Sequence, residues 1–68
     1  MTWGGRAGQV IYKGTFIEDG CWLGSSVTVL PDIKISKGCI IAAGAVVTRN
    51  TEPNGLYAGV PAVRKRDL

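Results

Sequence analysis

Seven aliphatic residues, Ile11, Ile17, Leu23, Val29, Ile35, Ile41 and Val47, follow one another at intervals of six. Six matches neither the 3.6-residue period of a helix nor the two-residue alternation of an ordinary strand. Ile, Val and Leu fill about a quarter of the chain, so seven successive hits in one phase arise by chance on the order of once in several thousand such sequences. Three positions after each aliphatic stand Gly14, Gly20, Ser26, Asp32, Gly38, Gly44 and Asn50, all small or tolerant of a left-handed backbone. Four positions after it stand Thr15, Cys21, Val27, Ile33, Cys39, Ala45 and Thr51, mostly compact side chains able to point inward from a corner. Units that turn at a fixed place read as short parallel strands wound into a solenoid, an all-β parallel β-helix.

The rhythm bounds the chain into three segments. Residues 1–10 are glycine-rich and aperiodic, a loop or imperfect first edge; residues 11–52 are the repeat; the rhythm breaks at Pro53, where the solenoid is expected to end and residues 53–68 form a C-terminal extension. At 68 residues the chain has room for only a thin core, and a short stack with open ends is marginal alone, so an oligomer is expected.

Charge and composition exclude several classes of function. Net charge is +3, and five of the eight basic residues lie between Lys37 and Arg66, which suits an anionic small molecule. The aromatic residues do not interleave with the basic ones as a base-stacking surface requires, so no nucleic-acid partner is expected. No apolar run reaches the length of a membrane span and the first residues lack a signal-peptide core, which predicts a cytoplasmic protein without a membrane partner. Cys21 and Cys39 are too few for a disulfide scaffold and lack zinc-ligand spacing. There is no histidine.

Three stretches, "IEDGCWLGSSVTVLPDIKI", "KGCIIAAGAVVTRN" and "GVPA", in this order and spacing, resemble the hexapeptide-repeat acyltransferases, and within them the C-terminal half of the galactoside and maltose type of sugar O-acetyltransferase. The resemblance covers about Ile17 to Arg66. It implies a left-handed β-helix of about two to three coils, with three hexapeptides, eighteen residues, per triangular coil. Ile11, Val29 and Val47 then stack in one column, Ile17 and Ile35 in a second, Leu23 and Ile41 in a third, and Cys21 falls over Cys39 as a buried thiol. The resemblance also implies a homotrimer.

Acetyl-CoA, by the same resemblance, lies in a groove between subunits and meets Ser25, Ala43, Thr48, Arg49 and Arg66. Ala43 offers its backbone beside Gly44 to the pantetheine arm, Thr48 a hydroxyl, and Arg49 and Arg66 their guanidinium groups to phosphates. Trp22 takes an aromatic position beside the groove, as a wall for substrate or as an interface anchor. After "GVPA" the family usually carries Lys or Arg, where this chain has Val63 followed by Arg64, so a phosphate contact there is lost or shifted by one residue.

Acetyltransferases of this family use a histidine base to take a proton from the acceptor hydroxyl. That histidine lies upstream of the stretch matching Ile17, so no catalytic residue is assigned here; Glu18 and Asp19 read as solvated corner residues. The zinc carbonic anhydrases built on this fold need three histidines and are excluded. Two functions remain: the acetyl-CoA-binding half of an O-acetyltransferase that takes its base from another polypeptide supplying the N-terminal half, or a non-catalytic trimeric β-helix serving as a structural or assembly module.

Overall fold

The computed structural model describes residues 8–68; of the segment set apart at 1–10, residues 1–7 lie outside the described residues. Seven two-residue strands follow at intervals of six: β1 Val10–Ile11, β2 Phe16–Ile17, β3 Trp22–Leu23, β4 Thr28–Val29, β5 Lys34–Ile35, β6 Ile40–Ile41 and β7 Val46–Val47. Two longer strands complete the chain, β8 Gly55–Ala58 and β9 Val63–Asp67. The pleat turns the first residue of each short strand outward and the second inward, and the corner that follows turns a further residue in. Leu23, Val29, Ile35, Ile41 and Val47 from the strands, with Cys21, Val27, Ile33, Cys39 and Ala45 from the corners, are therefore all buried.

Pairing is parallel at an offset of eighteen: Val10 lies beside Thr28 and Thr28 beside Val46, Phe16 beside Lys34, Trp22 beside Ile40. The faces are β1-β4-β7, β2-β5, and β3-β6-β8-β9. Ile11, Val29 and Val47 share one column, Ile17 and Ile35 another, Leu23 and Ile41 the third, as the spacing and the resemblance predict. Cys21 and Cys39 are both fully buried, unpaired thiols. Cys21 donates to the Ser36 carbonyl at 3.0 Å and Cys39 to that of Glu52 at 3.1 Å.

The corners turn through a left-handed residue at Gly14, Gly20, Ser26, Asp32, Gly38 and Gly44. Asn50, expected to do the same, does not; the left-handed residue is Asn54, with φ 56°. The difference has a hydrogen-bonding cause. Among the described residues no strand lies over β5, so the N–H groups on that side need other acceptors. The Asn50 side chain accepts the Lys34 N–H at 2.8 Å, and Thr51 Oγ1 accepts the Ser36 N–H at 2.9 Å, while the Ser36 hydroxyl donates back to the Thr51 carbonyl at 2.7 Å.

Having shortened one side in this way, the chain regains the third face at an offset of sixteen, Ile40 against Leu56 and Ile41 against Tyr57. Pro53 ends the six-residue rhythm, but pairing continues beyond it. Tyr57 covers the Leu23–Ile41 column and is itself buried. β9 then returns antiparallel along β8, so residues 63–67 are a paired edge strand.

Ile35 is fully buried, stacked on Ile17 in the second column. Ile35→Asp should abolish the cooperative thermal transition followed by circular dichroism, because an unpaired buried carboxylate costs on the order of 4 kcal/mol or more; a folded, soluble variant would refute the register.

Candidate functional site

Two corners border the first face. Ser25 and Ala43 occupy the corner that leads into β4 and β7, one directly above the other: the Gly44 N–H donates to the Ser25 carbonyl at 2.9 Å. Both are exposed. Gly24 makes this approach possible, since a Cβ there would lie 2.6 Å from the Ala43 nitrogen and 2.9 Å from its Cα. Thr48 and Arg49 occupy the corner that follows β7. Thr48 lies five positions after Ala43, so the two corners stand at most about 18 Å apart across one face.

The second corner opens into a cleft of about 340 Å³, lined on one side by Val47, Thr48, Arg49 and Asn50 and on the other by Tyr57 and Pro61 to Arg64. The "GVPA" stretch builds that second wall. Val46 donates its N–H to the Gly59 carbonyl at 3.1 Å and accepts the Ala62 N–H at 2.9 Å, so residues 59–62 run alongside β7 and bring Pro61 and Ala62 to Thr48 and Arg49. Sequence spacing cannot show this, because the partner of Val46 lies outside the repeat; the proline-glycine punctuation after the last periodic residue was the only available signal.

Arg64 does not point free into the cleft. Its Nε donates to Asp67 Oδ1 at 2.9 Å, Nη1 to the Glu52 carbonyl and the Tyr57 hydroxyl, each at 3.2 Å, and Nη2 to the Pro53 and Asn54 carbonyls, each at 3.2 Å. These five bonds use all five N–H groups of a guanidinium. The Tyr57 hydroxyl, and after it Asp67, raise the Arg64 pKa further, so the group stays charged. The shifted cation after "GVPA" is thus engaged within the chain.

Arg66 and Trp22 lie elsewhere. Arg66 stands opposite Leu56 and Arg64 opposite Tyr57, so Lys65 is the extra residue of a β-bulge. Residues paired directly across two strands share a side of the sheet, which sets Arg64 on the side of buried Tyr57 and Arg66 on the outer side with Leu56. Trp22, 56% exposed, continues that outer row through Ile40. Neither lines the cleft.

No carboxylate lines the cleft. Glu18 and Asp19 sit at the third corner beside a separate hollow of about 420 Å³ with Phe16, Ile17 and Lys37. Glu18 is more than a solvated corner residue: its Oε1 accepts the Lys37 N–H at 2.9 Å and its Oε2 lies 3.9 Å from Lys34 Nζ. Burial pushes the Cys21 thiol up from its ordinary value, so it stays protonated at neutral pH and is no base or nucleophile. What the geometry offers is a binding surface, with small stacked residues at one edge and a hydroxyl and a cation in a cleft at the other.

The chain belongs to the bacterial transferase hexapeptide family, whose six repeats match residues 14–49, and its fold is the left-handed parallel β-helix of that family. Among curated relatives it is 36% identical over 63 residues to a galactoside O-acetyltransferase of Lactococcus lactis, covering 93% of this chain and 30% of that protein. It is 41% identical over 61 residues to a probable macrolide acetyltransferase of Lysinibacillus sphaericus, covering 85% and 34%. A solved galactoside acetyltransferase in complex with coenzyme A superposes with a TM-score of 0.77 at 36% identity, over 78% of this chain and 26% of that one. A variant of GDP-perosamine N-acetyltransferase from Caulobacter crescentus, in complex with coenzyme A and GDP-perosamine, superposes at 0.85 and 32% identity, over 88% and 29%. The chain thus spans about a third or less of the length of the curated relatives it matches, from 10% to 34%. Among its described residues no helix is long and apolar enough to cross a membrane.

Gly24→Ala tests the stacked corner. Its methyl group meets backbone that cannot step aside, so thermal stability should fall by about 1–3 kcal/mol; an unchanged melting midpoint would show that the two stacked turns of this corner are not in contact.

Proposed function

We propose that this chain carries the donor-binding part of a coenzyme A-dependent O-acetyltransferase. The carrying observation is the placement of Thr48 and Arg49 in one cleft, at the far edge of the face whose near edge holds Ser25 over Ala43. An extended pantetheine arm passes the small corner, where side chains do not obstruct it and the Ala43 backbone meets its amides. Thr48 adds a hydroxyl contact and Arg49 pairs with phosphate. The coenzyme A bound by the galactoside and GDP-perosamine relatives supports acetyl-CoA as the donor.

Arg66 and Trp22 face outward from the third sheet, so they serve a groove closed by a second copy: Arg66 meets the nucleotide phosphates and Trp22 walls the acceptor side. The working assembly of this proposal is a homotrimer acting in the cytoplasm, the trimer being typical of hexapeptide acetyltransferases. With this proposal goes a division into 11–52 as β-helix and 53–68 as extension, the extension adding β8 to the third face and supplying one wall of the cleft. The 68 residues contain no histidine, so the base that deprotonates the acceptor hydroxyl as it attacks the thioester carbonyl comes from sequence outside them, in this or another polypeptide.

Calorimetric titration should give micromolar binding of acetyl-CoA, weakened at least about tenfold by Arg49→Glu, which reverses a charge-assisted contact. Absence of binding by the folded protein would overturn the proposal in favour of a purely structural β-helix.

A further inference from the structure

Arg64 and Gly55 fit each other in a way that reaches beyond the binding contacts themselves. Gly55 is buried without a left-handed backbone, so conformational freedom does not explain it. Space does: a Cβ at Gly55 would collide with Arg64 Nη1 and lie 2.6 Å from Arg64 Cζ. The guanidinium therefore occupies the space a side chain at Gly55 would fill, its Cζ 5.7 Å from the centroid of the Tyr57 ring. Its five hydrogen bonds join three parts of the structure that the repeat does not hold together: the irregular carbonyls of residues 52–54, the last core side chain, and β9. Tyr57 adds a cross-tie, its hydroxyl accepting the Glu52 N–H at 2.8 Å.

Tyr57, Val63 and Arg64 also line the cleft opposite Thr48 and Arg49. We infer that Arg64 is a positioning residue for the donor cleft, an inference that rests on the acetyl-CoA reading: seated on Gly55, its planar fork holds the wall at the distance from Arg49 that the donor requires, without itself touching phosphate. Charge alone cannot do this. Lysine keeps the charge but has three donors on a flexible stem, and it cannot reach five acceptors in one plane.

The test is a set of titrations with acetyl-CoA on the full chain, well below the melting midpoint of each variant, at several salt concentrations. Arg64→Lys should weaken binding about tenfold while the dependence of affinity on salt stays that of the unmutated protein, because no phosphate contact has been removed. Gly55→Ala, which retains Arg64 but displaces it, should give the same loss. Combined with Arg64→Ala, the Gly55→Ala change should add nothing, since both act through one contact. Full affinity in Arg64→Lys, a weakened salt dependence in either Arg64 variant, or additive losses in the double variant would each overturn the inference. Failure of the unmutated, folded protein to bind overturns the donor reading and this inference with it, and is distinguished because the loss precedes any substitution.

Discussion

Every short strand of the solenoid depends on one backbone relation: an N–H group donates to the carbonyl seventeen residues further along. Val10 donates to Val27, Phe16 to Ile33, Trp22 to Cys39 and Thr28 to Ala45, all at 2.9 Å. Two-residue strands have too little length to define a sheet alone. Repeating this ladder on three faces holds each unit to six residues, because one residue more or less would turn the inward column outward on every later face. The stacked aliphatics, the buried thiols and the left-handed corners all follow from it.

The chain leaves this relation between Asn50 and Asn54, and the site depends on how it leaves. Side chains of Asn50 and Thr51 stand in for the strand missing over β5. The saved residues bring β8 back two positions early, Tyr57 closes the core, and residues 59–62 come to rest beside β7. The cleft is thus a product of the broken repeat, with the last regular corner as one wall and the irregular return as the other. Arg64 holds that return together with its full set of intrachain hydrogen bonds, and Arg49 is the cleft arginine that makes no hydrogen bond or ion pair among the described residues.

Periodicity made the solenoid legible from sequence, and resemblance supplied its coil length and hand. Ile11 to Val47 carry the pattern in their own side chains, since each inward position must be filled by something apolar or small. The stacking of Ser25 and Ala43 follows from the eighteen-residue offset by itself. Beyond Pro53 no period exists, so neither the pairing of Leu56 with Ile40 nor the return of β9 was readable. An asparagine at position 50 suits a left-handed corner and a side-chain acceptor equally well; the Lys34 N–H, which bonds to the Asn50 side chain, decides between them. The opposite directions of Arg64 and Arg66 depend on a bulge at Lys65, which two residues of the same type, two positions apart, do not announce.

The proposed donor lies across the first face, between the corner of Ser25 and Ala43 and the cleft of Thr48 and Arg49. Amide chemical-shift mapping on isotope-labelled protein during titration with acetyl-CoA tests this placement most directly. Shifts should concentrate at Ala43, Gly44, Thr48, Arg49 and Ala62, with Glu18, Asp19 and Lys37 unmoved. Shifts centred on the hollow beside Phe16 and Lys37, or none on either corner of the first face, would contradict it.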